Sequence, residues 1–294
     1  MEVDIGIIFD CTIRNNGTAS YCIPALKSIP GVTVTHYFPR GTLPKHDFYL
    51  YIDDGMDHIS WLPPHPSAYW AIDTHLGYGY RVWKARQFDR AFVAQLPAVA
   101  GFTKDGVQKV QWLPLACHPE AHITRQQFID RGALSNNFDL TEEWDWAFVG
   151  FMQDSRVAGH NNRIDHLDAL QRALPNCRIA VNRFFESMAL VYIKSRLGFN
   201  VSIKRDLNMR VFEVMSTGVP LLTNRDVDGL GELFTEGSDF IGYKGIDEMV
   251  EIAGTSLKNE ALRRSIAVSG LDKVRSAHTY QHRMRTIIKE MSHV

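Results

Sequence analysis

The chain has 294 residues, of which 45% are hydrophobic and 22% are charged, and its formal net charge is -1. This composition is typical of a globular protein of about two domains, and it argues against nucleic acid as a partner. No segment approaches 18 apolar residues, and the four cysteines form no paired motif. We therefore expect a cytoplasmic protein with no membrane span, no zinc site and no disulfide framework.

Short apolar segments alternate with helical segments in the first part of the chain. This alternation predicts a parallel, doubly wound sheet, and we assign residues 1–120 to a first domain of α/β class. The predicted strands are 3–9, 32–38, 47–53, 68–73, 90–95 and 110–116, and the predicted helices are 17–29, 79–88 and about 97–106.

Residues 121–143 are polar and rich in turn formers, and we interpret them as a linker. A second doubly wound domain is predicted at 144–277, and a final helix at 278–294. Ligands of such sheets bind outside the carboxyl ends of the strands, so two Rossmann-like domains that face each other would enclose a central cleft. The predicted strands are 144–150, 177–183, 199–202, 219–224 and 240–243, and the predicted helices are 161–174, 184–196, 209–217, 229–235, 246–256, 258–276 and 279–291.

One helix of the second domain carries a glutamate among residues that face a core. The sequence LNMRVFEVMSTGVPLLTN has a good N-cap in Asn208 and a good stop in Gly218. Free N–H groups at a helix start, together with the cation of Arg210, form a phosphate site. Glu213, one turn further, can accept hydrogen bonds from both hydroxyls of a ribose. The alternative is an Arg210–Glu213 pair on a solvated helix face.

Two residues upstream of this helix belong to the same hypothesis. Ser202 and Lys204 lie just before the helix start, where they can add a hydroxyl and a cation to the phosphate site.

Three motifs in the same order carry a resemblance to a known family. N-x-R-x-F-E-x-x-x-x-G-x-P-L-L-T begins at Asn208, G-L-x-E-L-F-x-x-G begins at Gly229, and H-T-Y-x-x-R begins at His278. This part of the chain resembles the carboxyl-terminal domain of spore-maturation (CgeB-like) glycosyltransferases. Those enzymes have the GT-B fold, in which two Rossmann-like domains face a central cleft and carboxyl-terminal helices close the structure. Over residues 1–140 the resemblance is architectural.

The resemblance implies a hexosyltransferase-type enzyme that uses a UDP- or dTDP-type sugar as co-substrate, with no other cofactor and no metal. Its acceptor would be a carbohydrate, a peptide or a small molecule, bound by the first domain. The resemblance also implies that Glu213 binds the ribose and that the turn of Asn208, Met209 and Arg210 binds the diphosphate. The larger GT-B group often has a second acid at the position that Arg205 occupies here.

Two further loops of the second domain contain candidate donor residues. Arg156 and Arg163 follow the first strand of this domain, where a cation can neutralise the leaving diphosphate; a solvated surface arginine is the alternative for each. Asn182 and Arg183 end the next strand, where the nucleobase packs in such folds.

The first domain contains candidate acceptor-side residues. Asp73 and His75 follow the fourth strand, and either can act as the base that deprotonates an acceptor hydroxyl. Asp53 and Asp54, after the third strand, are the second choice, and a turn or capping role is their alternative. The cleft loop after the first strand contains Asn15, Asn16 and Gly17, where a tight turn can present backbone N–H groups.

Other patterns have simpler readings. Asp226 and Asp228 form a D-x-D sequence, but Asp228 precedes a helix and is predicted to cap it. His278 and His282, four apart on a predicted helix, are weak evidence for zinc because no acidic ligand is near them. Aromatic residues of the first domain can stack on a sugar or fill a core, and a core position is favoured for Trp70 and Trp83. The aromatic residues are Trp61, Tyr69, Trp70, Tyr78, Tyr80 and Trp83.

Two alternatives to a transferase remain, because fold alone does not fix function. One is a sugar-nucleotide epimerase of the same fold, which needs no acceptor. The other is a non-catalytic sugar-nucleotide-binding protein, an alternative raised by Arg205 at the position of the second acid.

Overall fold

The computed structural model describes residues 2–13, 16–56, 58–132, 141–152 and 160–294. The chain divides into two compact units. The first unit consists of Met1–Leu115 and Tyr280–Val294, and the second consists of Ala116–Thr279. No helix among the described residues is both long enough and apolar enough to cross a membrane.

The first unit is built on a six-stranded parallel sheet. Its strand order is β2-β1-β3-β4-β5-β6. Every residue of β3 and β4 is buried, as expected for a parallel sheet that is covered on both faces. The strands are β1 (Val3–Ile8), β2 (Val32–Tyr37), β3 (Phe48–Asp53), β4 (Ser67–Ala71), β5 (Arg90–Val93) and β6 (Val110–Trp112), and the helices are α1 (Thr18–Lys27), α2 (Tyr78–Ala85) and α3 (Pro97–Lys104).

The second unit contains a five-stranded parallel sheet. Its strand order is β11-β10-β9-β7-β8, and aromatic and aliphatic side chains pack between the sheet and its helices. The strands are β7 (Trp144–Val149), β8 (Cys177–Ala180), β9 (Ser195–Asn200), β10 (Leu221–Asn224) and β11 (Ile241–Tyr243). The helices are α4 (Arg125–Asp130), α5 (His160–Ala173), α6 (Glu186–Ile193), α7 (Met209–Ser216), α8 (Leu230–Leu233), α9 (Ile246–Lys258) and α10 (Glu260–Ala277).

The last helix, α11 (Tyr280–Met291), packs in the first unit. Its Tyr280 ring stacks on the ring of Tyr21 in α1, with the centroids 5.3 Å apart. Arg283 donates from Nε to the carbonyl oxygen of Pro114 at 2.7 Å. These contacts attach the end of the chain to the first sheet.

The two sheets share one topology. In each, the second strand of the unit lies on one side of the first strand and the third lies on the other. The strand order therefore reverses between β1 and β3 in one sheet, and between β7 and β9 in the other. Such a switch point opens a crevice at the carboxyl ends of the strands, where α/β sheets bind ligands.

The predicted strands and helices agree with the structure in type and order, but several ends differ. The strands predicted at 110–116 and 177–183 end earlier, at Trp112 and Ala180. The helix predicted at 184–196 ends at Ile193, because Ser195 and Leu197 pair with β7 and begin β9 earlier than expected. The segment predicted as a linker contains α4, which starts with a capping box between Thr124 and Gln127.

Candidate functional site

The start of α7 is tied to the carboxyl ends of two strands of the second sheet. Asn208 is the N-cap residue, as predicted, but its side chain does not cap the helix. Its Nδ2 instead donates to Oδ1 of Asn200 at 3.3 Å and to Oγ of Ser202 at 3.2 Å. Asn200 in turn donates to Oγ1 of Thr223 at 2.9 Å. No side chain of Asn208 therefore occupies the start of α7, the end of the helix that is predicted to bind phosphate.

Arg210 spans the switch point of the second sheet. Its Nε donates to the carbonyl oxygen of Val149 at 2.6 Å, at the end of β7. Its Nη1 donates to Oδ1 of Asn200 at 2.8 Å, at the end of β9. The guanidinium also lies over the ring of Phe148, 4.4 Å from the centroid. The side chain therefore holds a positive charge at the crevice between β7 and β9.

Gly150 provides the space for this guanidinium. A Cβ atom at this position would overlap Nη2 of Arg210 and would lie 2.8 Å from Cζ of Phe148. The glycine is therefore required for close approach of a side chain, and no unusual backbone angle is involved.

Arg163 places a second guanidinium, itself buried, in the same region. The residue is only 8% exposed, so the alternative of a solvated surface arginine is wrong. Its Nη1 donates to the carbonyl oxygen of Phe151 at 3.1 Å, and its guanidinium lies 5.7 Å from the centroid of Phe148. Burial, and then the charge of Arg210, lower the pKa of Arg163 to about 9.

The two guanidiniums interact with carboxylates only at longer range, Arg163 with Asp206 and Arg210 with Glu213. Within the described ranges of the chain, neither Arg163 nor Arg210 forms an ion pair with a carboxylate, and Nε of Arg163 is buried without a hydrogen-bond partner. Two like charges in a partly desolvated place are unfavourable unless an anion joins them. The region is therefore suited to a phosphate group.

Glu213 lies one turn into α7 and is buried, with 7% of its surface exposed. The alternative of a pair on a solvated helix face is therefore wrong. Burial raises the pKa of Glu213 to about 7, although the charge of Arg210 acts in the opposite direction. Its Oε1 lies 3.6 Å from Nε2 of His122. A desolvated carboxylate of this kind gains most when hydroxyl groups donate to it.

The other predicted donor residues have different outcomes. Arg156 lies outside the described residues. Asn182 and Arg183 are exposed in the loop after β8, and Asn182 has a left-handed backbone with φ of 53°. Ser202 is buried in the network at the start of α7, whereas Lys204 is exposed. The structure thus brings Ser202, Asn208, Arg210 and Glu213 together with Arg163.

Arg205, at the position of the second acid, forms an ion pair. Its Nη2 lies 2.6 Å from Oδ1 of Asp228, and its carbonyl oxygen accepts the backbone N–H of Asp228. The prediction that Asp228 caps the next helix is therefore wrong, since Gly229 is the N-cap of α8. Asp226 accepts from Nδ2 of Asn224 at 2.9 Å.

Asp73 and His75 follow β4 at the carboxyl edge of the first sheet. Asp73 has a left-handed backbone, with φ of 54°, which is uncommon for a residue other than glycine. Between them, Thr74 donates from its backbone N–H and its hydroxyl to Oε1 of Gln95, at 2.8 and 2.7 Å. This loop is therefore fixed on the end of β5, and a catalytic role for Asp73 or His75 stays a prediction.

Asp53 and Asp54 are structural. Asp53 is fully buried, accepts the hydroxyl of Tyr69 and lies 3.2 Å from Nε of Arg81. Asp54 accepts the backbone N–H of Thr18 at the start of α1. The capping alternative describes these residues better than a catalytic one.

Asp53→Asn is expected to lower the free energy of unfolding by about 3 to 5 kcal/mol, because it removes the buried carboxylate charge that pairs with Arg81. Urea unfolding monitored by circular dichroism would measure the change. Lost activity with an unchanged unfolding free energy would contradict the structural role.

Gly17 and the aromatic residues of the first unit were also candidates for the acceptor side. Gly17 is the N-cap of α1 in an extended conformation, so no left-handed turn requires it, and Asn16 precedes it, partly exposed. Trp70 is fully buried, as predicted, whereas Trp83 is 42% exposed and the core prediction for it is wrong. Tyr69 is also fully buried and cannot stack on a sugar.

His278 and His282 do not share a helix. His278 is the C-cap of α10 and lies against the rings of Phe212 and Phe234, whereas His282 belongs to α11. The prediction that the two histidines lie four residues apart on one helix, which was the weak evidence for zinc, is therefore wrong.

Comparison with known proteins gives the fold. Residues 151–289 match a family described as glycosyl transferase-like, and no curated protein matches the chain in sequence. Over 100% of both chains, the structure is similar to Anabaena Alr3699/HepE in complex with UDP and glucose, with 11% identity and a TM-score of 0.70. The fold is GT-B. The fold predicted from the sequence is confirmed.

Two other GT-B structures match at similar levels. Sucrose-phosphate synthase (tll1590) from Thermosynechococcus elongatus has 10% identity and a TM-score of 0.62 over 99% of each chain. An alpha-glucosyltransferase in complex with UDP and a 13-mer DNA containing a HMU base has 8% identity and a TM-score of 0.65, over 99% of this chain and 100% of that one. The resemblance to the CgeB-like family in particular stays a prediction.

Four residues of the GT-B second unit were missed by sequence reasoning. Asn200 is a buried polar residue at the end of an otherwise largely apolar strand, a pattern that could have indicated it. Phe148 and Gly150 read as an ordinary strand end. His122 lies in the segment that was interpreted as a linker, so nothing linked it to Glu213.

Proposed function

We propose that this protein is a glycosyltransferase that moves a sugar from a nucleotide diphosphate sugar of UDP type to an acceptor hydroxyl. The donor would bind at the carboxyl edge of the second sheet. The observation that carries the proposal is the pair of guanidiniums beside the ring of Phe148, the buried Arg163 and the half-buried Arg210, neither of which forms an ion pair with a carboxylate in the described part of the chain.

The diphosphate would occupy the crevice between β7 and β9. Arg210 already uses Nε and Nη1 on the protein, so its charge and its remaining N–H groups would act on the phosphate. The N–H groups at the start of α7 add a partial positive charge. An anion there would also offset the burial and the repulsion from Arg210, which together lower the pKa of Arg163.

Glu213 would bind the ribose. It lies four residues after the first residue of α7, a rise of about 6 Å along the helix axis. That distance suits a nucleoside diphosphate, in which the ribose follows the two phosphates directly. The carboxylate would accept from the two ribose hydroxyls, and these bonds would offset the desolvation that raises its pKa.

Catalysis would rest on stabilisation of the departing diphosphate. Arg163, Arg210 and the start of α7 are fixed before the reaction, so they would stabilise the developing negative charge without reorganisation. This set of positive groups would perform the task that a metal ion performs elsewhere. We propose the first unit as the acceptor side, with His75 or Asp73 as the base.

The proposal is tested by nucleotide binding in a thermal-shift screen against UDP, GDP, dTDP, ADP and CMP. UDP is expected to raise the melting temperature, because a ligand of the native state stabilises it. Arg163→Ala is expected to weaken UDP binding about 10- to 100-fold, the range for hydrogen bonds to charged groups. Arg172→Ala, an exposed residue on the same helix, is the matched control and is expected to bind normally.

Three outcomes would contradict parts of the proposal. Equal losses in both arginine variants, or no binding of any nucleotide, would remove the donor site. Binding with conversion of UDP-sugar in the absence of acceptor would indicate an epimerase. Binding without turnover on any acceptor tested would indicate a non-catalytic binding protein.

A further inference from the structure

A cavity of about 620 Å³ lies at the edge of the second sheet opposite to the proposed donor site. Its lining includes residues 195–196, which begin β9, and residues 219–220, just before β10. These positions are at the amino ends of parallel strands, whereas the crevice between β7 and β9 is at the carboxyl ends. The volume is typical of a site for a small molecule. All of the described lining residues belong to the second unit.

Basic residues outnumber acidic residues in the lining of this cavity. The basic residues are Arg125, Arg196, Arg263 and Arg264, and the acidic residues are Glu142 and Glu260. Both glutamates pair with two of the arginines. Nε of Arg196 lies 3.9 Å from Oε2 of Glu142, and Nη2 of Arg264 lies 2.6 Å from Oε1 of Glu260. Arg196 also pairs with Asp145, at 2.9 Å. The acidic residues therefore leave two arginines without a carboxylate at ion-pair distance.

These two arginines, Arg125 and Arg263, are anchored by backbone carbonyl groups. Nη2 of Arg125 donates to the carbonyl oxygen of Ile193 at 2.6 Å. Nη1 of Arg263 donates to the carbonyl oxygens of Ser256 and Leu257, at 2.9 and 2.5 Å. In the described part of the chain their other nitrogens donate to no protein group, and none of these is shut off from solvent. Each guanidinium therefore keeps N–H groups for a ligand.

The guanidiniums of Arg196 and Arg263 lie close to each other. Nη2 of Arg196 donates at 2.7 Å to the carbonyl oxygen of Leu257, which also accepts from Arg263. Burial, and then the charge of Arg196, lower the pKa of Arg263, although nearby carboxylates act in the opposite direction. Two cations that share one acceptor are stabilised when an anion joins them. The charges of the cavity therefore favour an anionic ligand.

We propose that this cavity binds a phosphate monoester of a small polyol. The free N–H groups of Arg125 and Arg263 would bind the phosphate, because the planar guanidinium matches phosphate oxygens. Inorganic phosphate would fill only a small part of the volume, so the polyol would occupy the rest. There Glu142 and Glu260 can accept hydrogen bonds from its hydroxyl groups. The site is separate from the proposed donor site and does not depend on the proposed function.

The test is a calorimetric titration of the full chain with glycerol 3-phosphate, inorganic phosphate and glycerol. The wild-type protein is expected to bind glycerol 3-phosphate more tightly than inorganic phosphate, and glycerol not at all. Arg125→Gln is expected to weaken binding of glycerol 3-phosphate about 10- to 100-fold, the range for hydrogen bonds to charged groups. Glu260→Gln is expected to strengthen it about threefold, because the lining loses a negative charge and Arg264 loses its partner. A purely structural role of these residues would not strengthen binding.

Two further variants locate the bound phosphate. Arg172→Ala, which removes an exposed charge on α5, is expected to bind glycerol 3-phosphate as the wild type does. Arg163→Ala is expected to bind it equally well, although its UDP binding weakens. Binding that is lost in Arg163→Ala and unchanged in Arg125→Gln would place the phosphate in the donor crevice and overturn the proposal. No binding of glycerol 3-phosphate by the wild type would also overturn it.

A last variant keeps the test valid if Arg125→Gln does not fold. The side chain of Arg264 is 80% exposed, so Arg264→Glu reverses a charge of the lining without loss of a buried contact. It is expected to weaken binding of glycerol 3-phosphate about tenfold, whereas wild-type affinity would overturn the proposal. UDP binding tests only the proposed function, so the two failures are distinguishable.

Discussion

Glu213→Gln is expected to make the protein more stable at alkaline pH while it weakens UDP binding. The carboxyl group has a pKa of about 7 in the folded protein, against 4.5 as its ordinary value, because it is buried. A glutamine of nearly the same shape needs no desolvation of a charge. The residue would therefore be retained for binding at a cost in stability.

The sign of the pH dependence follows from proton uptake. A carboxyl group with a raised pKa holds its proton more tightly in the folded state than in the unfolded chain. Its contribution to stability is therefore fully present below pH 4.5 and is lost as the pH rises through 7. Between pH 5.5 and 8 the loss is about 2 kcal/mol, at about 1.4 kcal/mol for each pH unit between the two pKa values.

The measurement is the difference in unfolding free energy between wild type and Glu213→Gln at several pH values. This difference is expected to grow by about 2 kcal/mol in favour of the variant from pH 5.5 to 8. UDP affinity is expected to fall about 10- to 100-fold, because an amide accepts at one atom only. A stability difference that does not vary with pH would show that Glu213 titrates normally. Unchanged UDP affinity would remove the ribose assignment.

Gly150→Ala is expected to abolish most donor binding without adding or removing a charge. The new methyl group would overlap Nη2 of Arg210, which must then leave Val149 and Asn200. The far side is closed by Phe148, 2.8 Å from the new atom, so the methyl group has no free direction. UDP affinity is expected to fall about 100-fold, equivalent to about 2.7 kcal/mol of lost charge-assisted binding.

Gly254→Ala provides the control for the same chemical change. Gly254 lies inside α9, and a Cβ atom there meets nothing within 4 Å. This variant is expected to bind UDP normally and to gain up to about 1 kcal/mol of stability, because alanine is the better helix former. If Gly150→Ala binds UDP as tightly as Gly254→Ala does, Arg210 is not part of the donor site.

Most of the fold follows from the sequence because parallel sheets leave a strong signal. Strands such as β3 and β4 are buried on both faces, so they read as unbroken apolar segments between helical ones. The main error, at the start of β9, arose where Ser195 and Arg196 interrupt that signal. Strand pairing with β7 overrides the local pattern there.

The candidate site was predictable only where one segment carried it. Asn208, Arg210 and Glu213 lie on a single helix, and motif and helix geometry together indicated their chemistry. The partners that decide their environment come from elsewhere in the chain. Burial of Arg163 and the approach of His122 depend on tertiary packing, which a single sequence does not reveal.

Because α11 returns to the first unit, that unit consists of two separate chain segments and the second unit of one. Ala116–Thr279 is an uninterrupted length of polypeptide, whereas its neighbour is assembled from two ends that are far apart in sequence. A truncated protein that stops at Leu115 would lack Tyr280, the ring on which Tyr21 stacks. The second unit can therefore be excised as one piece of chain, whereas the first unit needs its last helix grafted back.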